Sequence, residues 1–135
     1  MITINMKDLK VTKMTAGGWI QVSLTESAYY KSMCIYHKNR KAGINTTEAR
    51  EIFLGYIRDM FQYDKRDGGI REMSWSRFIG LYELIVRQGI QEPPGNEIRI
   101  DSKMEIHDGQ HRLAIWCAMG NEEINISRTW KNPVC

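Results

Sequence analysis

The spacing of apolar residues changes period several times along the chain, and each change marks an element. At the start, Ile2, Ile4 and Met6 alternate with Thr3 and Asn5, the period of two expected of a half-buried strand. Thr15 to Gly18 has turn composition, and Trp19 to Leu24 suits a second strand. Ser23 and Glu26 have the spacing of a capping box, which predicts a helix from about Leu24 to Lys38, closed by Gly43. Asn45, with Glu48 three residues on, opens the clearest helix of the chain. Its Ala49, Ile52, Phe53, Tyr56, Ile57, Met60 and Phe61 form one apolar stripe at helical spacing, facing a core. Tyr63 to Gly69 is a charged connection that leaves Lys65 and Arg66 at the surface. Ser74 caps a further helix, striped by Phe78, Leu81, Tyr82 and Ile85 and stopped by Gly89. Pro93-Pro94-Gly95 breaks the chain before a strand from Glu97 to Ile100.

The stretch from Glu105 to Gly120 departs from these amphipathic patterns. It predicts a short strand, an Asp108-Gly109 turn, and a helix ending at Gly120. From Leu113 to Met119 that helix is apolar almost all round, so it should be buried. Its first turn nevertheless gathers Asp108, Gln110, His111 and Arg112 at the helix end whose N–H groups attract anions. With strands near both ends and helices between, the expected fold class is α+β, the buried helix lying against a small mixed sheet.

Length and composition narrow the function classes. The 135 residues suit a single domain spanning 1–135, with 42% hydrophobic and 26% charged residues. No apolar run approaches a membrane span and no signal segment opens the chain, so no membrane partner and a cytoplasmic location are expected. Cys34, Cys117 and Cys135 show no metal-binding spacing; Cys117 is read as a small core residue. The net charge of +3 permits an anionic partner without demanding one. His37, Lys38, Arg40 and Lys41 at one helix end complement its dipole, or else contact a phosphate backbone such as DNA.

At the start of the buried helix, Arg112 offers a fork of donors suited to phosphate, and the N–H groups of Gly109, Gln110, His111 and Arg112 can join it. His111 can donate to phosphate or carry a proton near neutral pH. Asp108 can act as a base or hold a divalent cation such as Mg2+. The structural alternative is that Asp108 caps the helix and Arg112 pairs with a carboxylate. His107 falls on the strand face opposite Asp108. His107 and His111 straddle a turn, so a zinc site is not expected.

Asp108-Gly109-Gln110-His111-Arg112-Leu113-Ala114 resembles the DG-x-HR-x-A signature of the ParB/sulfiredoxin superfamily. The likeness extends to residues 81–93, similar to a helix-and-turn pattern of that family, and to Ile98-Arg99-Ile100, Glu123 to Ile126 and the opening Ile2 to Lys10, together about a quarter of the chain. It implies a ParB/sulfiredoxin-like fold carrying a helical insertion at about 25–74. It implies that Asp108, His111 and Arg112 line a nucleotide-phosphate pocket for ATP or CTP with Mg2+. Gln91 and Glu92 would lie over that pocket, Glu92 as a second carboxylate. It also suggests a stand-alone member of phage or DNA-modification type, acting in a bacterial or phage-infected cell. Gln110 stands where sulfiredoxins carry cysteine, which disfavours sulfinic-acid reduction. The chain ends about two dozen residues after the motif, too soon for the DNA-binding and dimerisation parts of a partition protein.

Three functions follow: a small phosphoryl-transfer or DNA-modification enzyme using Asp108, His111 and Glu92; a nuclease with metal on Asp108 and on Glu92 or Asp101; and a non-catalytic nucleotide-dependent module whose inserted helices meet a partner. Catalysis predicts a second carboxylate facing Asp108.

Overall fold

The computed structural model describes residues 2–63 and 74–127. Among them are four helices and six strands, in the order β1 (Ile2–Asn5), β2 (Lys10–Thr15), β3 (Gly18–Ser23), α1 (Ala28–Ala42), α2 (Thr47–Tyr63), α3 (Trp75–Gln88), β4 (Arg99–Ile100), β5 (Ile106–Asp108), α4 (Gln110–Ala118) and β6 (Glu123–Ile126). The fold is α+β. The side chains of Met60 and Phe61, the connection holding Lys65 and Arg66, and the tail from Thr129 lie outside the described residues.

The strands form no single mixed sheet. They make three antiparallel pairs, β1–β6, β2–β3 and β4–β5. Parallel pairing among the described residues is confined to one bridge, Lys10 with Glu105. The β1–β6 register sets Ile2 opposite Ile126 and Ile4 opposite Ile124, so the alternating apolar positions of the two strands share one face. Met6, which continues that alternation in sequence, sits instead in a short 3-10 turn over Met6–Asp8 and is buried there. The β2–β3 hairpin turns through Ala16 and Gly17, and the Thr15 hydroxyl donates to the Gly18 carbonyl at 2.7 Å.

Helix starts follow the short polar residues, with one displacement. The Ser23–Glu26 capping box does not form: residues 24–26 make a 3-10 turn, and Ser23 makes no capping bond. Ser27 caps α1 instead, its Oγ accepting from Tyr30 N at 3.1 Å. The first helix therefore begins at Ala28 and runs on to Ala42. Asn45 Oδ1 accepts from Thr47 N at 2.8 Å at the start of α2, and Ser74 Oγ accepts from Arg77 N at 3.3 Å at the start of α3. Gly43 and Gly89, both at positive φ, follow α1 and α3.

Helices and strand pairs share one core. Leu9, Leu24, Met33, Phe53, Phe78, Leu113 and Ile126 are all fully buried within it. Phe53 stacks on Phe78 at 5.1 Å between ring centroids, and Tyr29 meets both. The segment 25–74, read as an insertion, thus supplies Tyr29, Met33 and Phe53 to the core against which α4 packs. No helix of the described residues is long and apolar enough to cross a membrane.

Candidate functional site at the start of α4

The site begins with a backbone requirement. Gly109 follows β5 at φ +95°, and a Cβ there would lie 2.9 Å from Ile98 Cγ1 and 3.3 Å from an Arg112 guanidinium nitrogen. Both the left-handed conformation and the contact demand glycine. Gly109 is also the N-cap of α4, with no side-chain capping bond. The expected alternative role for Asp108 is therefore not taken: its carboxylate does not cap the helix. Asp108 is exposed and sits opposite Arg99 in the β4–β5 ladder.

The first ladder bond recorded at this end runs from Leu113 N to the Gly109 carbonyl at 2.9 Å. The N–H groups of Gln110, His111 and Arg112 belong to the turn that precedes it. Helix geometry directs them out of the helix start, with the positive end of the dipole.

Arg112 is buried at 8% exposure, and its Nη1 donates to the carbonyl oxygens of Gln91 and Asn96, both at 2.8 Å. Among the described residues it pairs with no carboxylate, contrary to the structural alternative; it clamps the loop after α3 onto the helix start. Glu92 reinforces that clamp. Its Oε2 accepts from Ile98 N and the Ser127 hydroxyl, and its Oε1 from Ser127 N, each at 3.2 Å. The expected second carboxylate is thus committed to holding the loop against the end of β6. Gln91 brings its carbonyl to Arg112, while its side chain turns back to donate to the Gln88 carbonyl at 2.8 Å. His111 packs edge-on against Tyr29, with ring centroids 4.4 Å apart, and lies 6.1 Å from Phe78. The imidazole therefore helps seat α4 on the aromatic core.

A second polar group forms on the β4–β5 hairpin. Asp101 Oδ1 accepts from Lys103 N at 2.8 Å and Glu105 N at 3.0 Å, while its Oδ2 lies 2.8 Å from His107 Nε2. Burial alone would raise the Asp101 pKa, but the His107 contact and the two backbone donors outweigh it and hold the carboxyl below its ordinary value. Donor atoms of Asp101, Glu105 and His107 lie within 4.8 Å of one another. Asp108, the residue expected to hold Mg2+, is not in this cluster. The sequence offered a faint signal for it, since Glu105 and His107 share a strand face and Asp101 begins the intervening turn.

Two of the four basic residues at the end of α1, His37 and Arg40, meet α3. Arg40 pairs with Glu83 at 2.9 Å and lies over the Tyr82 ring, while His37 Nδ1 is 2.6 Å from the Tyr82 hydroxyl. Cys34 and Cys117 carry free thiols, half-buried between α1 and α4. Burial pushes both thiols up, and on Cys117 the neighbouring Cys34 adds to it, the opposite of an activated nucleophile. Cys135 lies outside the described residues.

Comparison of the chain with protein-family models, curated proteins and solved structures finds no match.

Proposed function

We propose that this chain is a ParB-like module that binds the phosphate groups of a nucleotide at the start of α4. The observation that carries the reading is the Gly109 turn. It opens a nine-residue helix without a side-chain cap, and buried Arg112 holds the 91–96 loop beside that opening. Such an arrangement offers backbone donors and a helix dipole to an anion. Arg112 acts here by holding the loop beside the helix start rather than by gripping the phosphate.

Binding is favoured over phosphoryl transfer by the state of the carboxylates. Glu92 is held by Ile98 and Ser127, and Asp101 by His107 and two backbone donors, so neither stands ready as a partner for Asp108. The test is calorimetric titration of nucleoside triphosphates, with and without Mg2+, into wild type and Gln110→Glu. A carboxylate in the first turn suits the helix dipole, so the variant should fold, yet it repels a phosphate. The reading expects one nucleotide to bind wild type and to bind the variant at least tenfold more weakly. Equal affinities, or no binding to folded wild type, would overturn it.

A second reading, metal-dependent phosphodiester cleavage, is favoured by the convergence of Asp101, Glu105 and His107, a donor set suited to Mn2+ or Zn2+. It requires that Mn2+ raise the melting temperature of wild type but not of Glu105→Gln, and that DNA be cut only with metal.

A further inference from the structure

We propose that a groove walled by Lys7, Lys10 and Lys103 is a second anion site, built for a small ligand that carries two or more linked phosphates. The groove has a volume of about 540 Å3 and shares no lining residue with the start of α4. That volume falls within the range of about 300–1,000 Å3 typical of small-molecule sites. Two stretches distant in sequence supply the lysines: Lys7 and Lys10 come from the turn after β1 and the start of β2, and Lys103 from the loop between β4 and β5. Gln21 and Ser23 of β3 add side chains able to hydrogen-bond phosphate oxygens, and Asp8 is the one acidic residue in the lining.

The backbone holds these positions together. Lys10 N donates to the Met104 carbonyl at 2.8 Å, and Leu24 N to the Leu9 carbonyl at 3.0 Å. Lys10 is the register partner of Ser23. Lys103 is fixed by its N–H bond to Asp101 Oδ1, and the following residue, Met104, is held at φ +66°. The backbone therefore fixes where the three lysines leave the chain around the groove.

Among the described residues, none of these lysines has a carboxylate within 4.0 Å of its ammonium nitrogen. Three lysines against one carboxylate, Asp8, leave the recess net positive, and a net-positive recess concentrates the field on a ligand of the opposite sign. The basic end of α1 differs, because Glu83 already answers Arg40. Gathering the lysines around one recess, rather than along an extended stripe, fits a compact oligophosphate better than a nucleic-acid backbone.

The site stands independently of the α4 reading, and the experiment separates the two. Inorganic triphosphate is titrated calorimetrically at low ionic strength into wild type, Lys7→Gln/Lys103→Gln, Lys38→Gln/Lys41→Gln and Gln110→Glu. The melting temperature of each variant is compared with that of wild type. The proposal expects binding to wild type, at least tenfold weakening of one binding event in Lys7→Gln/Lys103→Gln, little change in Lys38→Gln/Lys41→Gln, and persistence of that event in Gln110→Glu. Equal weakening in both lysine pairs would reduce the effect to net charge and overturn the site. Loss confined to Gln110→Glu would assign the binding to the start of α4, and no binding to wild type would remove the proposal outright. If a DNA duplex bound through Lys7 and Lys103 while triphosphate did not, the small-ligand assignment would fall.

Discussion

Arg112 illustrates how a residue legible as important can have its role concealed. Its place after His111 at the start of a buried helix marks it as polar where apolar residues are expected. Its partners, however, are the main-chain carbonyls of Gln91 and Asn96, 21 and 16 residues upstream. No pattern of side chains encodes a backbone acceptor, so the sequence suggested a phosphate or a carboxylate instead. Removing the guanidinium leaves two loop carbonyls without their charged donor. Arg112→Ala should lower unfolding stability by about 3 kcal/mol, on the scale of hydrogen bonds to charged groups, measurable as a lower urea midpoint. A loss under about 0.5 kcal/mol, the size of an ordinary surface substitution, would contradict the clamp. Gly109 is the reverse case, legible both as a residue and as a role, because Asp-Gly before a helix announces a left-handed turn. Gly109→Ala adds a Cβ 2.9 Å from Ile98 at φ +95°, and should cost about 2 kcal/mol by the same measurement.

At the scale of elements, helices were better announced than their boundaries. The stripes on α2 and α3, and their starts near Asn45 and Ser74, follow directly from helical spacing and capping chemistry. The start of α1 did not, because two serines compete for it. Ser23 had the matching Glu26, yet Leu24 is buried at the end of the β2–β3 hairpin and its N–H bonds the Leu9 carbonyl. That tertiary contact holds residues 24–26 in a 3-10 turn and passes the cap to Ser27. The packing of α1 on α3 has a consequence in solution. Burial first, then Lys41 and Arg40, lowers the pKa of His37 from its ordinary 6.5. The unfolded chain therefore binds a proton at His37 at higher pH than the native chain does, and stability rises with pH across that interval. The contribution is complete above the unfolded pKa and is lost as pH falls toward the folded one. Wild type should lose stability as pH falls below the ordinary histidine value of 6.5, and His37→Gln should flatten that part of the profile in chemical denaturation. An unchanged slope in the variant would assign the dependence elsewhere.

For the whole molecule, the α+β class was legible while the sheet arrangement was not. Strand pairing depends on which edges meet in space, and short strands such as β4 and β5 carry too few alternating positions to fix a partner. The sequence suggests a small mixed sheet; the structure has three antiparallel pairs, of which β2–β3 and β4–β5 are joined by the Lys10–Glu105 bridge. The same non-local assembly hid the lysine groove, since Lys103 is brought beside Lys7 and Lys10 only by the β4–β5 hairpin. It also joins the helices of the 25–74 segment to α4, where Tyr29 and Phe78 seat His111. In the proposed function this shared core presents the start of α4 to an anion. Amide resonances of 15N-labelled protein, followed during titration with a nucleoside triphosphate and Mg2+, test it most directly. Binding there should give saturable shifts centred on Gly109, Gln110 and His111, lost in Gln110→Glu. Saturation that leaves those three amides unmoved would contradict it.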